Sequence, residues 1–163
     1  MFNFAPPEFE CKIVQPDLLS EYLINVKRPL VFTNGCFDII HRGHVSYLAQ
    51  ARALGACLCV ALNSDDSVKR LGKGSERPIN PLSHRMAVVA ALASVDVVTW
   101  FDEDNPFNLI EYIKPDILVK GGDWAIENIV GAKETLQRGG RVFSIPFLYD
   151  TSTTALINKV RNC

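Results

Sequence analysis

Apolar residues recur along this chain in short continuous runs, and helical patterns separate the runs. Pro29-Leu30-Val31-Phe32-Thr33-Asn34 reads as a buried strand. It is followed by a helical pattern from about His44 to Leu54, with Val45, Leu48 and Ala49 at i, i+3 and i+4 and Gly55 as its C-cap. Ala56 to Leu62 is a second apolar run, and Asn63-Ser64-Asp65 is placed to cap a short helix. The stretch from Gly72 to Pro78 is polar and flexible. Asn80-Pro81 then opens a helix whose predicted apolar face is Met86, Val89, Ala90 and Ala93. Val95 to Phe101 predicts a third strand. Asn105-Pro106 opens a helix that buries Leu109, Ile110 and Ile113, and Asp116 to Lys120 predicts a fourth strand. A helix from about Ala125 to Arg138 should stop at Gly139-Gly140, before a fifth strand from Arg141 to Pro146. Ser152 or Thr153 caps a last helix with Leu156, Ile157 and Val160 inward. Residues 1–28 read as an N-terminal extension, with Pro16 starting a short helix that sets Leu18, Leu19, Tyr22 and Leu23 on one side.

Strands that are apolar throughout and alternate with helices predict a parallel sheet covered on both faces. The expected architecture is therefore a single α/β, doubly wound domain over residues 29–163 with five parallel strands. In such sheets ligands bind beyond the carboxyl ends of the strands. That points to Thr33–His44, Asn63–Arg77, Lys120–Trp124 and Asp150–Thr154.

Length and composition narrow the classes of function. A chain of 163 residues with 48% apolar and 21% charged residues can build a core without staples. Lys and Arg number 17 and Asp and Glu 18, so charge gives no case for nucleic acid or an anionic membrane as partner. No apolar run reaches a membrane-spanning length, the first residues lack the pattern of a signal peptide, and a cytoplasmic protein is expected. The five cysteines are an odd count without a CxxC, and Cys57 and Cys59 alternate in an apolar run as strand fillers.

The chemistry concentrates in Thr33-Asn34-Gly35-Cys36-Phe37-Asp38-Ile39-Ile40-His41-Arg42-Gly43-His44. His41 and His44 stand three apart at the mouth of a helix, so both can face one side. Free backbone N–H groups and the positive helix end favour an anion there. Gly43 leaves out a side chain between the histidines, and Gly35 allows a tight turn after the strand. These features suit a phosphate chain. Two readings compete with that one: ordinary surface histidines, and a zinc site using Cys36, His41 and His44 with Asp38 nearby, although the spacing matches no established zinc pattern. Neither GxGxxG nor a Walker A sequence is present. Lys69, Arg70, Lys73, Arg77 and Arg85 place five positive charges within 17 residues, and the glycines beside Lys73 favour a mobile loop over phosphates rather than a solvated face.

The segment His41-Arg42-Gly43-His44, preceded by Asn34-Gly35-Cys36-Phe37-Asp38, resembles the HxGH motif of the nucleotidylyltransferase superfamily. Further segments appear in order: Val60-Ala61-Leu62-Asn63-Ser64-Asp65, Arg77-Pro78-Ile79-Asn80-Pro81 with Arg85-Met86, Leu118-Val119-Lys120-Gly121-Gly122-Asp123-Trp124, and Ser152-Thr153-Thr154. Together, over about residues 29–162, they resemble the heptose 1-phosphate adenylyltransferases, which occur as one half of ADP-heptose synthases. The resemblance implies a Rossmann-like fold. It also implies transfer of AMP from ATP to D-glycero-β-D-manno-heptose 1-phosphate, giving ADP-heptose and pyrophosphate for lipopolysaccharide core or related surface glycans. A cytidylyltransferase for a polyol or other sugar phosphate is the alternative, and a nucleotide-binding regulator or a metal-binding module are further ones.

By resemblance, His41, His44 and Lys73 carry catalysis. Thr33, Asn34, Gly35, Phe37, Gly43, Asn63, Arg85, Gly121, Gly122, Asp123, Ser152, Thr153 and Thr154 surround the nucleotide. Asp38, Arg77 and Trp124 line the acceptor side. The nucleophile is a phosphate already ionised at neutral pH, so no general base is required. The work is positioning and charge stabilisation. Mg²⁺ accompanies ATP without a dedicated protein cage. The family also implies a homo-oligomer.

Overall fold

The computed structural model describes residues 5–72, 74, 76–149 and 151–162. The apolar runs form β1 (Leu30–Gly35), β2 (Cys57–Asn63), β3 (Val97–Phe101), β4 (Ile117–Gly121) and β5 (Arg141–Ile145). All pair in parallel, in the order β3-β2-β1-β4-β5. Between and around them run α1 (Leu19–Ile24), α2 (Arg42–Arg52), α3 (Asp65–Arg70), α4 (Leu82–Ala90), α5 (Phe107–Ile113), α6 (Ala132–Gln137) and α7 (Thr153–Arg161).

Successive strand residues face opposite sides, and each side has its own core. Leu30, Phe32, Cys57, Cys59 and Leu118 pack with Leu19 and Leu23 of α1, Leu109, Ile110 and Ile113 of α5, and Ala132 of α6. Val31, Leu58, Val60, Leu62 and Val119 pack with Tyr47, Leu48 and Ala51 of α2 and with Met86, Val89 and Ala90 of α4. The sheet is therefore doubly wound. After β3 the chain crosses to the far side of β1, so the order reverses between β1 and β4.

Local chemistry moves several expected boundaries. α2 begins at Arg42 and its buried face is Gly43, Tyr47, Leu48 and Ala51, while Val45 and Ala49 face outward. The large ring of Tyr47, with a partner for its hydroxyl inside, outweighs two small aliphatic groups. The same helix closes on Ala53 rather than Gly55. Pro81 is the N-cap of α4, because the Asn80 amide is drawn away to donate to the Asp38 carbonyl (2.7 Å). Ala93 lies beyond α4 and is exposed. β3 starts at Val97, since the chain at Val95 is still turning, its N–H donating to the Leu92 carbonyl.

The helix expected over Ala125–Arg138 is broken into a 3-10 turn at Ile126–Asn128 and α6. Ile129 is extended and Gly131 is left-handed (φ +80°), where a Cβ would stand 2.9 Å from the Ile110 side chain. Ser152 caps α7, its Oγ accepting from the Ala155 N–H (3.1 Å), yet Val160 is exposed and only Leu156 and Ile157 are half-buried. In α1, Leu19 and Leu23 are buried while Leu18 and Tyr22 face solvent. The segment before β1 packs on the sheet: Val14 N–H donates to the Val98 carbonyl (2.8 Å) and the Tyr112 hydroxyl to Ser20 Oγ (2.7 Å).

Candidate active site

The loop from β1 to α2 is built on a buried turn. Phe37 takes a left-handed conformation (φ 47°), which costs about 1–3 kcal/mol for a residue with a side chain. Burial holds it there: the ring is 5% exposed and meets His44 edge-on at 5.3 Å. Asp38 follows, also buried. Its carboxylate accepts from Arg77 Nε (2.6 Å), Ile79 N–H (3.0 Å) and Asn80 N–H (2.9 Å). The loop after α3 is thereby pinned to the loop before α2.

His41 is the N-cap of α2 and is extended, with no side-chain cap bond. Its ring stacks on that of His44, centroids 3.8 Å apart. A Cβ at position 43 would lie 3.1 Å from the His41 ring, so Gly43 makes room for the imidazole itself. Burial lowers the pKa of His41 below the ordinary value. Burial, with a smaller push from His41, brings His44 down from 6.5 to about 4. Both rings are therefore neutral at pH 7, which allows the close stack. Nδ1 of each is buried without a hydrogen-bond partner among the described residues. Such atoms cost free energy unless a ligand or water satisfies them.

The five basic residues of the sequence separate into different surroundings. Lys69 pairs with Asp66 (2.9 Å) and Arg70 with Asp104 (2.7 Å), both on the surface. Arg77 is buried against Asp38. Arg85, expected at the nucleotide, is 1% exposed and donates to the carbonyls of Asn80 (3.0 Å), Cys36 (2.7 Å) and Asn63 (2.9 Å) and to Asp65 Oδ1 (2.7 Å). It fastens three loops at the carboxyl ends of the strands from inside. Lys73 lies outside the described residues; its neighbour Gly72 lines the cleft.

That cleft has a volume of about 540 Å³ and lies between the β1–α2 loop, Gly72, Arg77, Phe147 and the start of α7. It brings together Phe37, Asp38, His41, His44, Arg77, Ser152, Thr153 and Thr154 from the sequence-predicted set. Thr153 Oγ1 also donates to the Ile39 carbonyl (3.3 Å), seating α7 against the histidine loop. Asn63 is buried behind Cys36 rather than in the lining, its amide donating to Ser67 Oγ (3.0 Å) and its Oδ1 accepting from Cys36 Sγ (3.9 Å).

Other expected site residues gather elsewhere. Asn34 and Trp124 line a smaller cavity of about 120 Å³ on the α5–α6 face, with Lys120 and Asn128. Gly122 is left-handed (φ +113°), its N–H donating to the Ile145 carbonyl (2.9 Å), and Asp123 is exposed. Thr33 is fully buried. Gly35 and Gly121 end their strands against aromatic rings, of Phe37 and of Phe147 and Tyr47 respectively.

Two residues escape the sequence reading. Phe147 lines the cleft beside Thr151, which falls within the expected Asp150–Thr154 window, and Tyr149 receives the Arg42 guanidinium over its ring at 3.7 Å. The rule of carboxyl strand ends would have found Phe147 and Tyr149 had the window after β5 opened at Pro146. Among the described residues no three His, Cys, Asp or Glu side chains converge as a metal-binding set. Among the described residues the one carboxylate lining the cleft, Asp38, has both oxygens engaged by protein donors.

Known proteins supply the context for this geometry. The Cytidylyltransferase-like family model matches residues 32–159. The chain is 55% identical over 155 residues to the D-beta-D-heptose 1-phosphate adenylyltransferase of Bordetella bronchiseptica, covering 94% of this chain and 96% of that protein. It is 58% identical over 130 residues, 80% of its own length, to Bifunctional protein HldE of a Marinomonas species, of which it spans 27%. Among solved structures, the lipopolysaccharide core biosynthesis protein of Thermoplasma volcanium superposes with a TM-score of 0.60 at 29% identity, covering 74% of this chain and 98% of that one. The family model spans most of the chain and the Bordetella relative matches along nearly its whole length, so the chain belongs to the cytidylyltransferase-like family.

Proposed function

We propose that this chain transfers the AMP unit of ATP to a heptose 1-phosphate, releasing pyrophosphate and forming ADP-heptose. A phosphate oxygen of the sugar phosphate attacks the α-phosphorus. The bond from that phosphorus to the bridging oxygen of the β-phosphate breaks, and the electron pair leaves with pyrophosphate. The attacking oxygen is already ionised, so no side chain has to remove a proton. The observation that carries the reading is the His41–His44 stack, whose Nδ1 atoms are buried beside the cleft without partners among the described residues. Neutral imidazoles each bring one N–H, and a donor aimed at developing phosphoryl charge acts without reorganisation.

The mouth of α2 and the capped start of α7 add backbone dipoles on two sides of the same cleft. Lys73, between two glycines, supplies a cation for the triphosphate. Mg²⁺ enters as part of the substrate, MgATP, held mainly by the phosphates; Asp38, at the cleft, is committed to its own donors. Asn34, Lys120 and Trp124 form a separate recess for a planar or polar part of one substrate. No helix among the described residues is long and apolar enough to cross a membrane, which accords with a cytoplasmic enzyme of small soluble substrates. Supply of ADP-heptose to lipopolysaccharide and assembly into a homo-oligomer belong to the same proposal.

The test is a pyrophosphate-release assay with each pairing of ATP or CTP with heptose 1-phosphate or a polyol phosphate. ATP with heptose 1-phosphate should be the fastest. A faster reaction of CTP with a polyol phosphate would replace this reading by the cytidylyltransferase one. Light scattering at assay concentration should give a multiple of the 18.1 kDa chain mass.

A further inference from the structure

The central seam of the sheet is open at one end. β1 and β4 pair at Val31 with Ile117 and at Phe32 with Leu118. Beyond these residues each strand stays paired on its other side only, β1 with β2 as far as Gly35 and Leu62, and β4 with β5 as far as Gly121 and Ile145. The two strands therefore part at Thr33 and Val119, directly beneath α2. Parted parallel strands leave backbone polar groups in the interior, and these need other partners.

Side chains fill the split. The Tyr47 hydroxyl is hydrogen-bonded to Thr33 Oγ1 on β1 and donates to the Val119 carbonyl on β4 (3.4 Å). Because the Tyr47 proton goes to Val119, the Thr33 hydroxyl is the donor between the two. One residue further on, Lys120 Nζ donates to Asn34 Oδ1 (3.4 Å) across the same gap. Tyr47 is 4% exposed and Thr33 fully buried, so water does not substitute for these bonds. Tyr47 also lies three residues after His44 on α2, close to one helical turn. Its ring meets Phe147 edge-on at 5.9 Å, and Phe147 is a wall of the histidine cleft.

The geometry points to Tyr47, with Thr33 as its second anchor, as the positioning residue that sets the height and tilt of the histidine-bearing end of α2 over the split between β1 and β4. The inference rests on the adenylyltransferase reading of the cleft, but its parts are internal to the chain. The hydroxyl ties one helix to two strands that no longer hold each other. Without it, β1 and β4 can shift apart and α2 can ride up, moving His44 relative to the phosphate it stabilises. A misplacement on the order of 1 Å is enough to cost up to about 100-fold in rate. Thr33 thus enters the site through Tyr47 rather than by touching the nucleotide.

Tyr47→Phe keeps the ring and removes the bridge. The expected result is a fall in kcat of about tenfold to 100-fold with KM for ATP within about twofold, since the chemistry of both substrates is untouched. Thr33→Val should give a smaller fall in kcat, because the bond to Val119 survives. Thr33→Ser should restore the wild-type value. Independently of turnover, NMR titration of the free proteins should show the His44 imidazole moving back toward the ordinary histidine range in Tyr47→Phe, as its packing loosens. A lower Tm with wild-type kcat and an unmoved His44 titration would overturn the inference and leave Tyr47 a core residue only. If Tyr47→Phe does not fold, the Thr33 pair decides: equal kcat for Thr33→Val and Thr33→Ser overturns it. Failure of the wild type to make ADP-heptose would sink the functional reading instead, and the titration would still judge this one.

Discussion

At the amino-terminal ends of β1, β4 and β5, a cavity of about 460 Å³ is lined by Arg28, Lys114, Arg138 and Arg141, while the carboxyl ends of the same sheet hold the histidine cleft of about 540 Å³. By charge alone the amino end is the better anion site. Yet three of these four cations, Arg28, Lys114 and Arg138, have local explanations. Arg28 pairs with Asp116 (2.7 Å), which also accepts from the Leu30 N–H (2.6 Å), and Arg138 pairs with Glu111 (2.5 Å). Lys114 and Arg138 are the C-caps of α5 and α6, where a cation complements the helix dipole. The helix ends that meet there are carboxyl ends, which repel an anion. At the other end of the sheet the balance is reversed: helix amino ends face the cleft, and two buried ring nitrogens lack partners among the described residues. Thr135 Oγ1 near the amino end is also buried without a partner among the described residues, but Thr135 does not line the cavity there; unpartnered nitrogens on the lining side chains themselves, more than positive charge, separate the ligand end from the structural end.

The largest expected effect tests how far the carboxyl end depends on its own buried ion pair. Asp38→Ala leaves the Arg77 guanidinium, 6% exposed as a side chain, without its carboxylate, and removes the acceptor of two backbone N–H groups. Breaking such a pair costs about 3–5 kcal/mol. Urea denaturation should show a loss of this size, with turnover falling as well because the pinned loop leads into His41. The double variant Asp38→Leu with Arg77→Met should recover most of the stability but not the activity. Recovery of both would make the pair mere packing.

Next comes the histidine pair. His44→Ala removes a donor aimed at the reacting phosphate, and kcat should drop by about 10²–10³ with moderate change in ATP affinity. Its Tm should barely change, since the packing lost against Phe37 and His41 is offset by removal of an imidazole whose buried nitrogen has no partner among the described residues. Stoichiometric zinc in the wild type, lost together with stability in the variant, would revive the metal reading.

The same nitrogens give a pH signature. His44 titrates near 4 in the fold and near 6.5 when unfolded, so between these values the unfolded chain binds more protons. Stability from this group is complete above pH 6.5 and is lost as pH falls toward 4. Thermal melts should therefore lose Tm more steeply over that interval in wild type than in His44→Ala. A bound triphosphate favours the charged imidazole, so ATP binding near pH 6 should take up protons, measurable as a buffer-dependent binding enthalpy. Proton-neutral binding would place the phosphates away from the pair.

Much of this was legible in the sequence, and the parts that were not share a cause. Strands buried on both faces are apolar almost throughout, so β1 to β4 announce themselves, whereas β5 at the sheet edge is only half-buried and is marked mainly by the Gly139-Gly140 break before it. The histidine pair was visible because its spacing and setting are local. What stayed hidden depends on partners distant in sequence. Arg85 reads as a phosphate cation until its donors are seen to hold Asn80, Cys36, Asn63 and Asp65. Phe37 gives no sign of a left-handed backbone, because burial against His44 imposes it. Thr33 and Tyr47 look unrelated until the sheet opens between them. Even the amino end misleads, since Arg138 and Glu111 are 27 residues apart and only packing of α5 beside α6 joins them.

The smallest expected effect is the one that can break the comparison. Arg138→Ala removes a partly exposed ion pair, worth about 0–1 kcal/mol, and Lys114→Ala removes a cation complementing a helix end, worth about 0.3–1 kcal/mol. Each should lower stability within those limits, and the loss should shrink in high salt because both interactions are near the surface. Neither change alters the histidine cleft at the opposite end of the sheet, so kcat and KM for ATP should stay within about twofold of wild type. If KM for either substrate rose tenfold or more in these variants while stability held, the cations at the amino end would be binding a phosphate after all. Positive charge in a concavity would then count as much as an unpartnered nitrogen in marking a site.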